Sequence, residues 1–157
     1  MKPLVIYCYD AYCGWCYGFS PVMKKIAEEY KDSFDIEVFS GGMMIGENKM
    51  PIEKIGPYIQ GAYKRVEELT GIKFGEDFLW HVFNPDKSDW IMNSEKPAIA
   101  LCIFKDIYPD RQLDFASDLQ YGLNYEGRDL DDDEAYRHLL EKYKLDADDF
   151  YNKLKSS

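Results

Sequence analysis

The chain contains four cysteines, Cys8, Cys13, Cys16 and Cys102, and two of them are spaced for chemistry. In Cys13-Gly14-Trp15-Cys16, two residues separate two thiols. On the first turn of a helix, side chains three apart share a face, so the two sulfurs can close a disulfide around that turn. A cysteine at a helix N-terminus also meets unpaired backbone N–H groups and the positive end of the helix dipole. Both stabilise a thiolate, lowering the thiol pKa from about 8.5 by about one unit or more. Cys13 then suits the attacking nucleophile at neutral pH. Cys16, one turn deeper, suits the thiol that resolves a mixed disulfide. A zinc knuckle would need a second ligand pair at short spacing, and Cys8, Cys102, His81 and His138 are scattered. A coincidental pair of core cysteines is the remaining alternative. The pair's place between a strand and a helix favours redox chemistry.

Positioning falls to the flanking elements. Residues 4–9 (Leu-Val-Ile-Tyr-Cys-Tyr) are β-branched and aromatic without alternation, which predicts a strand buried on both faces, as in a parallel sheet. Beyond the cysteines, Phe19, Val22, Met23, Ile26, Ala27 and Tyr30 recur at steps of three and four, one stripe of a helix. Pro21 lies inside it and is expected to kink the helix or mark its second half. Lys31-Asp32-Ser33 is a turn, 34–39 a second strand, and Gly41-Gly42 its end. Strand, helix and strand make a right-handed parallel unit, with the cysteines at the carboxyl end of the strands, where open α/β sheets place ligands and chemistry.

After Pro51 the pattern turns helical. Ile55, Ile59, Tyr63, Val66 and Leu69 predict a helix over 52–70, stopped by Gly71. Residues 78–83 form a short aromatic segment. Further helices are expected over 94–108, 113–125, 131–143 and 146–154, the third opened by Asp131-Asp132-Asp133-Glu134, which suits a positive helix end. No strand signal follows residue 39, and none of Pro51, Pro57, Pro85, Pro97 and Pro109 stands in strand-like context. The expected fold is α/β: a βαβ half over 1–45 and a helical block over 46–157, together one globular domain.

Composition bounds the partners. A chain of 157 residues can bury a core without staples, and 46% apolar and 16% aromatic content excludes disorder. With 19 basic and 29 acidic residues the net charge is −10, so nucleic acid and anionic membrane are not expected partners. No apolar run approaches the ~20 residues of a spanning helix, and no signal segment is visible after Met1-Lys2-Pro3. The expected location is cytoplasmic.

The segment Tyr-Asp-Ala-Tyr-Cys-Gly-Trp-Cys-Tyr-Gly-Phe-Ser-Pro over 9–21 resembles the active-site segment of DsbA-family thiol–disulfide oxidoreductases, closest to their cytosolic, FrnE-like branch. Pro21, eight positions after Cys13, and the Gly41-Gly42 loop share the likeness. The helical block looks like the insertion these proteins carry within a thioredoxin fold, and Asn93–Leu101 looks like one of its helix starts. The resemblance is specific over 4–45 and diffuse beyond. It implies a thioredoxin-like βαβ unit with a large helical insertion, Cys13 as nucleophile and Cys16 as resolving thiol. It further implies protein or small-molecule thiols and disulfides as partners, with glutathione as a co-substrate and no other cofactor or metal.

Three departures stand out. Gly14-Trp15 has no histidine to supply a cation, so the helix terminus must activate the thiolate. The family's returning strands, helix and cis-proline loop have no counterpart before Ser157, so a shortened chain, or a second chain or swapped segment covering an open strand edge, is expected. Tyr7 stands where some thioredoxin-like proteins have a buried acid. Two other readings stay open. One is a glutathione-binding enzyme like the kappa-class transferases or 2-hydroxychromene-2-carboxylate isomerases, which generally have serine at the Cys13 position. The other is a non-catalytic fragment.

Around the thiols, Trp15 and Tyr17, with Gly14, are candidates to contact substrate, Trp15 equally as an apolar lip or as packing on the helical block, and Tyr17 more as a core residue. Asp10 is read as a cap or turn residue. His81 is read as packed, His138 as solvated, and Cys8 and Cys102 as buried and inert. Asp131–Glu134 lacks the ligand spacing and glycine of an EF-hand.

Overall fold

A computed structural model describes residues 1–157. Strand β1 (Leu4–Tyr9) leads through a tight turn into helix α1 (Gly14–Glu29), which returns to β2 (Asp35–Ser40). The strands pair in parallel, from Leu4 opposite Asp35 to Tyr9 opposite Ser40. Helix α1 runs unbroken through Pro21. Helix α2 (Ile52–Thr70) has the expected span. It ends because Gly71, at φ 76°, turns left-handed and sends its N–H back to the Glu67 carbonyl. Helices α3 (Glu76–Phe83), α4 (Glu95–Ile107), α5 (Gln112–Asn124), α6 (Arg137–Tyr143) and α7 (Ala147–Ser156) complete the block. No helix is long and apolar enough to cross a membrane.

One hydrophobic core runs from Tyr9 to Leu154. Its centre lies among the helices, where Phe104 stacks on Phe115 at 4.2 Å and meets Tyr143 edge-on. The βαβ unit is held to this mass partly by polar side chains. Gln112 of α5 accepts from the Val38 N–H (2.7 Å) and donates to the Ile36 carbonyl (3.2 Å). Lys105 of α4 donates to the Val38 carbonyl (2.8 Å) and pairs with Glu37. These groups occupy the hydrogen-bonding positions that another strand would fill, so the outer edge of β2 is closed.

Several expectations are corrected. Strand β1 is not buried on both faces: Leu4, Val5, Ile6 and Cys8 are exposed. The main sheet has only two strands, so β1 is an edge with an uncovered face. For the same reason Phe19, Val22 and Tyr30 of the α1 stripe remain about half exposed. A second, two-stranded antiparallel ladder joins β3 (Met50–Pro51) to β4 (Ile91–Met92). Two residues are too few to show alternation, and Pro51 therefore does stand in strand context, opposite Ile91. The aromatic segment over 78–83 is helix α3. The helix expected over 131–143 is split into a 3₁₀ turn at Asp133–Tyr136, with Asp132 accepting from the Glu134 N–H, and α6. Cys102 is exposed on α4 rather than buried. His138 is partly buried rather than solvated, and burial lowers its pKa.

Candidate functional site

The turn after β1 places both thiols. The Cys13 N–H donates to the Asp10 carbonyl (3.1 Å), closing the turn. Cys13 is the N-cap of α1, in extended conformation, and its sulfur accepts from the Cys16 N–H at 3.4 Å. Cys16 lies on the first helical turn, half-buried against the core. Both cysteines are free thiols.

Their electrostatics diverge. The Cys13 thiol is pulled down to about 6, first by the hydrogen bond from the Cys16 side chain and then by the Cys16 and Trp15 N–H groups, against burial and the charge of Asp10. Cys16 is pushed well above the ordinary thiol range, because its proton is held by Cys13 and because it is half-buried. Tyr7 lies behind the pair, its hydroxyl buried without a partner. Burial and the nearby thiols push its pKa up to about 12. No group of three or more His, Cys, Asp or Glu side chains is placed to hold a metal ion.

Asp10 has a larger role than the sequence reading assigned. Its buried carboxylate accepts from the Tyr12 N–H (3.0 Å), the Met43 N–H (2.8 Å) and the Ser94 hydroxyl (2.8 Å). It thereby ties the cysteine turn to the loop after β2 and to the start of α4. Nothing local marks this, since Met43 and Ser94 lie 33 and 84 residues away.

Beside Cys13 a cavity of about 170 Å³ opens between the start of α1 and the face of α2. Cys13, Gly14 and Trp15 form one wall, and Ile59, Tyr63 and Phe74 lie among the others. No Asp, Glu, Lys or Arg side chain lines it. Of the sequence candidates, Gly14 and Trp15 face this cavity with Cys13, and Trp15 is 44% exposed. A Cβ at Gly14 would touch the Phe74 ring at 3.4 Å. Tyr17 does not line the cavity. It is buried, its hydroxyl donates to the Lys73 carbonyl (2.8 Å), and its ring meets Phe74 edge-on at 5.3 Å. Tyr17 thus props a wall residue. His81 is packed as read, stacked on Trp90 at 3.8 Å with Nδ1 on the Ser88 hydroxyl, and burial lowers its pKa. Met43, Met44 and Phe74 escaped the sequence reading. The only available signal was the apolar pair after Gly41-Gly42.

A parallel strand, a dithiol capping the next helix and a helical block after the second strand define a thioredoxin-like domain with a helical insertion. The family model for the DSBA-like thioredoxin domain matches residues 4–157, and the chain belongs to that family. Among solved structures, the cytosolic disulfide reductase DsbM from Pseudomonas aeruginosa is similar at a TM-score of 0.80 and 24% identity, over 98% of this chain and 69% of that one. DsbM solved with GSH gives 0.79 and 24%, over 98% and 70%. A candidate protein disulfide isomerase from Nitrosomonas europaea gives 0.80 and 21%, over 98% and 71%. At these identities the likeness is one of fold. No curated protein matches the chain.

Proposed function

We propose that the chain is a cytosolic thiol–disulfide oxidoreductase that exchanges disulfides through Cys13 and Cys16. The observation that carries this reading is the Cys13 sulfur at the helix N-cap, accepting from the Cys16 N–H, in a family of thioredoxin-like domains. The Cys13 thiolate attacks a substrate disulfide and one thiol leaves. Cys16 then gives up its proton and attacks Cys13, releasing the second thiol and leaving the Cys13–Cys16 disulfide. A low-molecular-weight thiol such as glutathione returns the pair to the dithiol, and the DsbM structure with GSH supports a thiol partner of this class. Trp15 and Gly14 contact the substrate, and Tyr17 supports them. The intact dithiol argues against the transferase and isomerase reading, which needs only one polar side chain at position 13. In an insulin-reduction assay, Cys13→Ser is expected to abolish activity, and Cys16→Ser to trap a mixed disulfide visible by mass spectrometry. Activity unchanged by Cys13→Ser would refute the proposal.

A further inference from the structure

The cavity beside Cys13 has a size and a chemistry that restrict what can sit next to an attacked disulfide. At about 170 Å³ it is close to the ~150 Å³ apolar cavity known to hold a benzene ring. Its lining includes the rings of Trp15, Tyr63 and Phe74, and a further ring packed against aromatic side chains gains more than its buried area alone. Met43 and Met44 add polarizable, adaptable groups. Apart from the Cys13 thiolate, no lining side chain carries a charge, so the two carboxylates of glutathione would find no partner there, and burying an unpaired charge is costly. The cavity reaches Cys13 itself, so its occupant must be joined to the reacting sulfur by only a few bonds.

We propose that this cavity is a specificity pocket for an uncharged aromatic ring close to the substrate disulfide. The proposal rests on the oxidoreductase reading above and names its substrate class. Those substrates are disulfides whose cysteine neighbours an aromatic residue, or small disulfides that carry an aromatic group. The ring enters between α1 and α2 and brings the sulfur to Cys13. Cys13 bonds to that sulfur as the substrate S–S bond breaks, and the departing thiolate takes a proton from solvent. Cys16 deprotonates and bonds to Cys13, and the second thiolate leaves and is protonated. The protein dithiol is oxidised by one electron pair, and one disulfide is reduced to two thiols.

The test is stopped-flow oxidation of the reduced, unaltered chain, followed by its tryptophan fluorescence, with no other reductant present. The probes are the symmetric disulfides of acetyl-Phe-Cys-amide and acetyl-Ala-Cys-amide, glutathione disulfide, and bis(2-phenylethyl) disulfide. The second-order rate constant for the Phe-Cys disulfide is expected to exceed that for the Ala-Cys disulfide by about tenfold, the effect of burying one ring. Glutathione disulfide is expected to be slower than the Phe-Cys probe. The phenylethyl arm separates the two sources: matching the Phe-Cys rate means that the ring suffices, and a slower rate means that peptide contacts add to it. Ala62→Phe, which fills the cavity, should collapse the Phe/Ala ratio toward one. Benzyl alcohol, competing in the unaltered protein, should do the same without any change of sequence. Equal rate constants for the Phe-Cys and Ala-Cys probes, or a ratio insensitive to both Ala62→Phe and benzyl alcohol, would overturn the pocket while leaving the oxidoreductase standing. No reaction with any probe would remove both.

Discussion

At the residue scale, the site turns on one sulfur and one carboxylate. Cys13 has a folded pKa of about 6, below that of a free thiol, about 8.5. Its thiolate therefore forms in the folded chain before it forms in the unfolded one. The reduced protein is expected to gain stability as pH rises from about 6 towards 8.5, and to lose that gain as pH falls through 6. Absorbance at 240 nm and the rate of alkylation should both titrate near pH 6; a midpoint near 8.5 would refute the electrostatics described here. Asp10 acts on the same sulfur with the opposite sign, since its charge raises the Cys13 pKa. Asp10→Asn is expected to lower that pKa further. The same change leaves the Met43 N–H, the Tyr12 N–H or the Ser94 hydroxyl short of an acceptor, at a cost of about 1–3 kcal/mol. Chemical denaturation and the alkylation profile read the two effects separately, and a variant as stable as the parent would show that Asp10 ties nothing together.

At the element scale, the pocket exists because α1 and α2 approach closely at one end. Gly18 makes that approach possible. A Cβ there would lie 2.8 Å from Thr70 Cγ2 and 2.9 Å from Val66 Cγ1. Gly18→Val is expected to force the helices apart and lower stability by about 1–3 kcal/mol. A clear drop in Tm should follow, and an unchanged Tm would mean that α2 yields without cost. The elements were largely legible in the sequence. The α2 stripe, its Gly71 stop and the cysteines at the head of α1 are all local patterns, set by helix period and cap chemistry. The failures were also local in origin. The strands Met50–Pro51 and Ile91–Met92 carry no periodicity, and the acidic run at 131–134 signals a cap equally well for a 3₁₀ turn and for a helix.

At the scale of the whole molecule, one sheet edge is closed and the other is open. Gln112 and Lys105 cap β2, whereas β1 has no strand on its other edge and leaves Leu4, Val5 and Ile6 exposed to solvent. An exposed, apolar edge strand is a template for pairing with another strand. The chain is expected to associate with rising concentration, and Ile6→Lys, which sets a charge on that surface, to weaken the association. Sedimentation velocity at two concentrations checks this, and a parent chain that stays monomeric at both would refute it. The burial of β1 was misread because an apolar run reports what a strand could be covered by, not what covers it. The amino-acid order alone determined the βαβ unit, the dithiol at the head of its helix and the helical block, since each follows from neighbours within a turn or a strand. Only the tertiary structure decided that Asp10 joins the three segments around the thiols, that α1 and α2 leave a ring-sized apolar cavity at Cys13, and that β1 stays bare. Those properties depend on residues tens of positions apart, and only packing brings such residues together.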